Sequence, residues 1–163
     1  MKRFTLTRLF PAVIVLLLLG GCSDGPTFPV LQFEEVQWAP SLGIDPADFT
    51  ELPSGIWVRD DQEGTGATVA VGNYIRTHYR GFLTDGTRFD SSLDGSGRPP
   101  LAFTVGSGEM IQGFDRGARG MQVGGVRTVL IPSFLGYGSR PTSSAIPPNA
   151  WLVFEIHLVE IVS

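Results

Sequence analysis

Few side chains in this chain have the type and spacing that covalent chemistry requires. There are two histidines, His78 and His157, and one cysteine, Cys22. Each histidine falls within a strand-like stretch, on the face opposite an apolar stripe, without Cys, His or carboxylate at ligand spacing. No metal site is expected there. No Gly-x-Ser-x-Gly elbow occurs, and Cys22 precedes the folded region, so a nucleophile–base pair is not expected either. Gly64-Thr-Gly66 reads as a turn, because a phosphate loop would need further glycines and a following helix. Asp90 and Glu109 are the residue types of a glycosidase pair, but nothing else in the chain supports that chemistry. What recurs is aromatic side chains near turns: Tyr79, Phe89, Phe103, Phe114, Tyr137, Trp151 and Phe154. Taken singly, each reads as core. Asp90 directly follows Phe89 and precedes Ser91 and Ser92. It is therefore either a turn cap or a charge at the rim of an apolar pocket.

The elements that must position these residues are mostly strands. Asp85-Gly86 between apolar runs signals a hairpin, since Gly tolerates the positive φ of a tight turn. Along its first strand Ile75, Thr77, Tyr79 and Leu83 alternate onto one face, with Tyr74, Arg76, His78, Arg80 and Phe82 on the other. Residues 56–60, 101–105, 126–131 and 151–162 read as further strands. Residues 109–118 are the only credible helix: Ile111, Phe114 and Ala118 share a face, and Glu109 suits the N-terminal dipole. Gly113 and Gly117 weaken it, so packing against a sheet must hold it. There is no βαβ repeat; the fold class is α+β, an antiparallel sheet with one short helix.

Composition limits the function further. Of the 163 residues, 21 are Gly and 12 are Pro, lying between short apolar runs, which indicates turns joining strands. From Ser54 onward nine Arg face ten acids, and the Arg form no stripe, so nucleic acid is not an expected partner.

In combination the motifs resemble the FKBP family of peptidyl-prolyl cis–trans isomerases. They are Thr77-His-Tyr79-Arg-Gly81, Asp85-Gly86-x-x-Phe89-Asp90-Ser91-Ser92, Phe103-x-Val105-Gly106, Ile111-x-Gly113, Met121-x-x-Gly124, Tyr137-Gly138, Ile146-Pro147-Pro148 and Leu152-Val-Phe154-Glu155. The resemblance runs from about Leu52 to Val162. It implies a bent antiparallel sheet wrapped around the helix, with an apolar pocket for a proline ring between them, and no cofactor. Carried over by position, the pocket falls on Tyr79, Phe89, Asp90, Met110, Ile111, Phe114, Tyr137, Ile146 and Phe154. Phe114 is the floor, Phe89 and Phe154 are walls, and Asp90 is at the rim. The Ile111 N–H and the Tyr137 hydroxyl are the groups that would bind substrate carbonyls. Three features depart from the pattern: the floor is Phe where Trp is common, Leu101 holds an aromatic wall position, and Thr142 stands where the flap can carry His. Arg98, in a loop two residues longer than in compact members, is the candidate partner of Asp90. The implied partners are proline-containing exported polypeptides, with macrolide inhibitors as further ligands. A non-catalytic chaperone or scaffold using the same pocket is the alternative.

The beginning of the chain points to the cell envelope. Lys2, Arg3 and Arg8 precede an apolar run, residues 9–19, that is far shorter than the ~20 residues of a membrane-spanning helix. With Leu19-Gly20-Gly21-Cys22 following, residues 1–21 resemble a bacterial lipoprotein signal peptide. Cys22 is then the lipidated residue, residues 22–51 an acidic, Pro-containing tether, and residues 52–163 the isomerase domain. More than one acyl chain would hold such a protein stably on a membrane. Ser23 at the next position favours the periplasmic face of an outer membrane. Cys22→Ala should move the protein from the membrane fraction to the soluble one; retention of the variant in the membrane would contradict the anchor.

Overall fold

The computed structural model describes residues 31–95, 97–140 and 144–162. Cys22, the signal-peptide stretch and Thr142 lie outside them. Seven strands, β1 (Thr50–Glu51), β2 (Trp57–Gln62), β3 (Tyr74–Leu83), β4 (Arg88–Ser91), β5 (Leu101–Thr104), β6 (Val126–Ile131) and β7 (Leu152–Ile161), form one antiparallel sheet. The order is β1-β2-β6-β7-β3-β4, with β5 also on β3. One helix, α1 (Gln112–Ala118), packs on β6 and β7. This is the expected α+β architecture.

The two-residue period decides which face of the sheet is buried. In β3 the inward residues are Ile75, Thr77, Tyr79, Gly81 and Leu83, as the alternation predicts. Val129 and Ile131 of β6 and Leu152, Phe154, Ile156 and Leu158 of β7 join them in the main core. At the edge, β3 divides its outer pairing: its first half pairs with β5 through Ile75 and Phe103, its second with β4 through Gly81 and Asp90. The chain between these two edge strands carries Arg98.

The helix is shorter than the sequence suggests. Expected over 109–118, it begins at Gln112, and Ile111 is its N-cap in an extended conformation (φ −55°, ψ 143°). Glu109 takes no part in the helix. Its carboxylate accepts the Thr104 N–H at 3.2 Å and the Ser107 hydroxyl at 2.6 Å, which closes the preceding turn instead. Asp115 is the acid of the first helical turn. It is buried, accepts the Gly106 N–H at 2.6 Å, and pairs with Arg119.

The two glycines explain how so weak a helix is held. A Cβ on Gly113 would lie 2.2 Å from Cγ2 of Ile131, and one on Gly117 would lie 2.8 Å from Cγ2 of Val129. Their absence lets the helix backbone rest directly on β6. Phe114, between them, is then pressed into the core with 1% of its surface exposed.

The outer face of the sheet is apolar at one end only. There Leu130, Trp151 and Val153 are buried with Val36, and Phe33, Trp38, Leu42, Ile44, Phe49, Trp57 and Phe82 pack around them. The described part of the stretch read as a tether, residues 31–51, is thus docked on the sheet. Trp151 donates its indole N–H to Leu31 O at 2.8 Å, and Ala39 N–H bonds Thr84 O beside the hairpin turn. Residues Pro46–Asp48 form a 3-10 turn, and β1 adds Thr50–Glu51 to the sheet.

Alanine in place of glycine improves helix propensity by about 1 kcal/mol. Gly113→Ala should nonetheless destabilise the protein, by about 1–3 kcal/mol, because the methyl overpacks against Ile131. Denaturant unfolding measures this; a variant as stable as the parent would show that helix and strand are not in backbone contact.

Candidate active site

The cleft between α1 and the inner face of the sheet encloses about 250 Å3. Its lining comprises Tyr79, Phe89, Asp90, Leu101, Glu109, Met110, Ile111, Phe114, Tyr137 and Phe154. Nine of these are the residues the sequence analysis assigned to a pocket, drawn from six separate segments. Ile146 is the exception. It is buried in the main core and does not reach the lining, because its side chain is taken up by packing. Glu109 lines the cleft without having been assigned to it. Only the late start of the helix, which leaves Glu109 in the turn before it, makes that visible.

The base of the cleft is a set of aromatic rings meeting edge to face. Phe114 lies 5.1 Å from Phe154 (82°), 5.8 Å from Tyr79 (82°) and 5.8 Å from Phe103 (60°), centroid to centroid. Phe89 meets Phe154 at 5.5 Å and 83°. Such contacts fix ring orientations beyond what apolar burial alone would do. Gly81 is the residue that lets the two walls approach. A Cβ there would stand 2.6 Å from Phe89 and 3.0 Å from Phe154. Gly81 is thus a positioning residue; its place in the Tyr79-Arg-Gly81 motif was the only sign of it in the sequence.

The rim is polar and closely tied. The Tyr79 hydroxyl donates to Asp90 Oδ2 at 2.5 Å. Arg98 Nη1 donates to Asp90 Oδ1 at 2.7 Å and to Ser91 O at 2.8 Å, so the candidate partner is the observed one. The Ser91 N–H also donates to Asp90, at 2.8 Å. Ser91 and Ser92 are buried, and both hydroxyls bond the Tyr79 backbone, Ser91 to its carbonyl and Ser92 to its N–H. The two serines therefore hold β4 against β3 at the point where Asp90 enters the cleft.

These contacts decide the protonation states. Burial alone would raise the Asp90 carboxyl. The hydrogen bonds from Tyr79, Arg98 and Ser91, with the Arg98 charge, outweigh it and hold the group below its ordinary value. Burial, the bond to Asp90 and that carboxylate's charge push Tyr79 up to about 12. Burial and then the Asp90 charge also raise Tyr137. At neutral pH these three groups are thus an anion already bonded by three donors and two neutral phenols. None is poised to transfer a proton. An apolar base with hydrogen-bonding groups at the rim, none of these three poised for proton transfer, describes a site that binds and reshapes a ligand without acid–base chemistry.

The two histidines do not join this site. They face each other across β3 and β7 on the outer side of the sheet, where His78 bonds Ser92 and His157 bonds Glu155. The strand register creates this proximity, which sequence spacing does not show. Among the described residues no group of three His, Cys, Asp or Glu can hold a metal.

Residues 66–159 match the family model described as FKBP-type peptidyl-prolyl cis-trans isomerase. An FK506-binding protein of Neisseria meningitidis serogroup B is 46% identical over 107 residues, covering 66% of this chain and 96% of the relative. An FK506-binding protein 1A of Neurospora crassa is 42% identical over 108 residues, covering 66% and 88%. Among solved structures, AtFKBP13 superposes with a TM-score of 0.63 at 36% identity, covering 70% of this chain and 98% of its own.

A carboxyl depressed on folding adds stability above its unfolded pKa and loses it as the pH falls through the folded one. Asp90→Asn should therefore be less stable than the parent at neutral pH, with the gap closing as the pH falls from the ordinary carboxylate range through the depressed folded-state value. Thermal melts across that range test this; a gap that persists unchanged in acid would mean that the charge of Asp90 does not hold the rim.

Proposed function

This chain belongs to the FKBP-type peptidyl-prolyl cis–trans isomerase family, and on that premise we propose where and how it works. The reaction is rotation about X–Pro bonds. We assign it to the cleft over Phe114, where Phe89, Phe154, Tyr79 and Leu101 would enclose a proline ring. The observation that carries this reading is the convergence of nine family positions on one apolar cleft.

Rotation about an amide is opposed by a barrier of roughly 18–20 kcal/mol, and an unassisted X–Pro bond takes tens to hundreds of seconds. No bond to carbon is made or broken, so the reaction calls for no nucleophile, metal or cofactor. Amide resonance makes the planar ground state polar, and twisting removes that resonance. A dry apolar cleft therefore disfavours the ground state more than the transition state, which is differential binding. The Ile111 N–H and the Tyr137 hydroxyl would hold the flanking carbonyls. Asp90, kept anionic by its three donors, would sit beside the turning imide carbonyl and keep Tyr79 and the Arg98 loop in place.

The substrates proposed are proline-containing exported polypeptides, and FK506-type macrolides are proposed as ligands of the same cleft, since relatives carry that name. We further propose a lipid anchor at Cys22 and a place on the cell envelope, supported by the pattern of residues 1–22. Among the described residues no helix is long and apolar enough to cross a membrane.

The full chain in detergent should accelerate a proline-limited refolding reaction. Phe154→Ala should lower that acceleration at least about tenfold, the factor given by ~1.4 kcal/mol of lost transition-state stabilisation. Asp90→Ala should lower it by a smaller factor, with the melting transition still cooperative in both. No acceleration at micromolar protein would leave only a proline-binding scaffold; full activity in both variants would place the site elsewhere.

A further inference from the structure

The charges around the cleft do not balance. Its ten lining residues include two carboxylates and no basic side chain. Asp90 is neutralised by Arg98, which reaches it at 2.7 Å. Glu109 has no such partner: among the described residues no basic group lies within ion-pair distance of it. Its Oε1 is instead held by two neutral donors, the Thr104 N–H and the Ser107 hydroxyl. Two cations of the adjoining surface, Arg116 and Arg119, are otherwise engaged. Arg116 bonds Ser54 O and Gln112 Oε1, and Arg119 pairs with Asp115. The charged state of Glu109 is secure, because the bonds from Ser107 and Thr104 hold its carboxyl below the ordinary value.

We propose that Glu109 is a specificity-determining residue of the isomerase site, which selects X–Pro segments carrying a Lys or Arg next to the proline and disfavours those carrying Asp or Glu. This rests on the reading that the cleft over Phe114 is the prolyl site. Glu109 precedes Ile111 by two residues, a span of at most about 7 Å. A peptide whose carbonyl docks on the Ile111 N–H therefore brings its flanking side chain within reach of the Glu109 carboxylate. Because Oε1 is anchored to the Ser107 turn, the anion is held in place before substrate arrives and little ordering is required on binding. The interaction is solvent-exposed, so its effect is modest and salt-dependent.

The test uses peptide pairs that differ only by Lys or Glu, placed immediately before the proline in one series and immediately after it in another. Catalysed isomerisation is followed by exchange NMR, with a Leu peptide as the uncharged reference. In one of the two series the Lys:Glu ratio of kcat/KM should be about three- to tenfold at low salt. It should fall toward one as salt rises from about 0.01 M to about 1 M, where the screening length shrinks from roughly 30 Å to 3 Å. Glu109→Gln, which keeps an acceptor for Ser107, should bring the low-salt ratio close to one, and Glu109→Lys should invert it. Active protein with a ratio of one in both series, or a ratio unchanged by Glu109→Gln, overturns the proposal while leaving the prolyl site intact. No catalysis of any peptide, the Leu reference included, overturns the site and the proposal together.

Discussion

Much of this structure depends on the direct contact between the backbone of α1 and strand β6. A seven-residue helix containing two glycines has little stability of its own. It persists because Gly113 and Gly117 leave no Cβ between it and the side chains of Ile131 and Val129. That contact sets the depth at which Phe114 sits, and Phe114 in turn meets Tyr79, Phe103 and Phe154. The base of the cleft is therefore a consequence of helix seating. Gly81 plays the corresponding part on the sheet side, where it allows Phe89 and Phe154 to close on each other. Three missing methyl groups shape the site as much as the aromatic rings do.

The rim arises from a different constraint. Strand β3 cannot pair with one partner along its whole outer edge, because β5 covers its first half and β4 its second. At the junction Asp90 enters the cleft, and the buried Ser91 and Ser92 fasten this end of β4 to the backbone of Tyr79. Arg98 then ties the intervening loop to Asp90 and to Ser91 O. The carboxylate accordingly serves as a structural anion at the mouth of an apolar site, well suited to a reaction that moves no proton. On the opposite face, residues from Phe33 to Phe49 cover the apolar end of the sheet, and Ala39 holds the loop at Thr84 next to the hairpin turn. The same hairpin that delivers Phe89 and Asp90 is thus supported from behind.

Much of this was legible in the sequence, for identifiable reasons. The two-residue alternation of β3 and β7 placed Tyr79 and Phe154 on the inner face, and Asp85-Gly86 located the hairpin. The pocket itself was legible only through the ordered series of motifs, since no single aromatic residue distinguishes a site from a core. Three things were not legible. The helix began at Gln112 because Ser107 and Thr104 claim the Glu109 carboxylate, a local competition that periodicity does not reveal. Ile146 turned into the core, as an apolar residue in a Pro-rich loop can do with no change of pattern. The pairing of His78 with His157 depends on strand register across 79 residues of chain, which residue types alone do not specify.

The prolyl site over Phe114 is tested most directly by titrating a proline-containing peptide into isotopically labelled protein and following the methyl signals by NMR. Shifts and exchange broadening should concentrate at Leu101, Met110 and Ile111, with the outer-face residues Leu130 and Val153 unaffected. Perturbations centred on Leu130 and Val153, with the cleft methyls unmoved, would contradict the assignment.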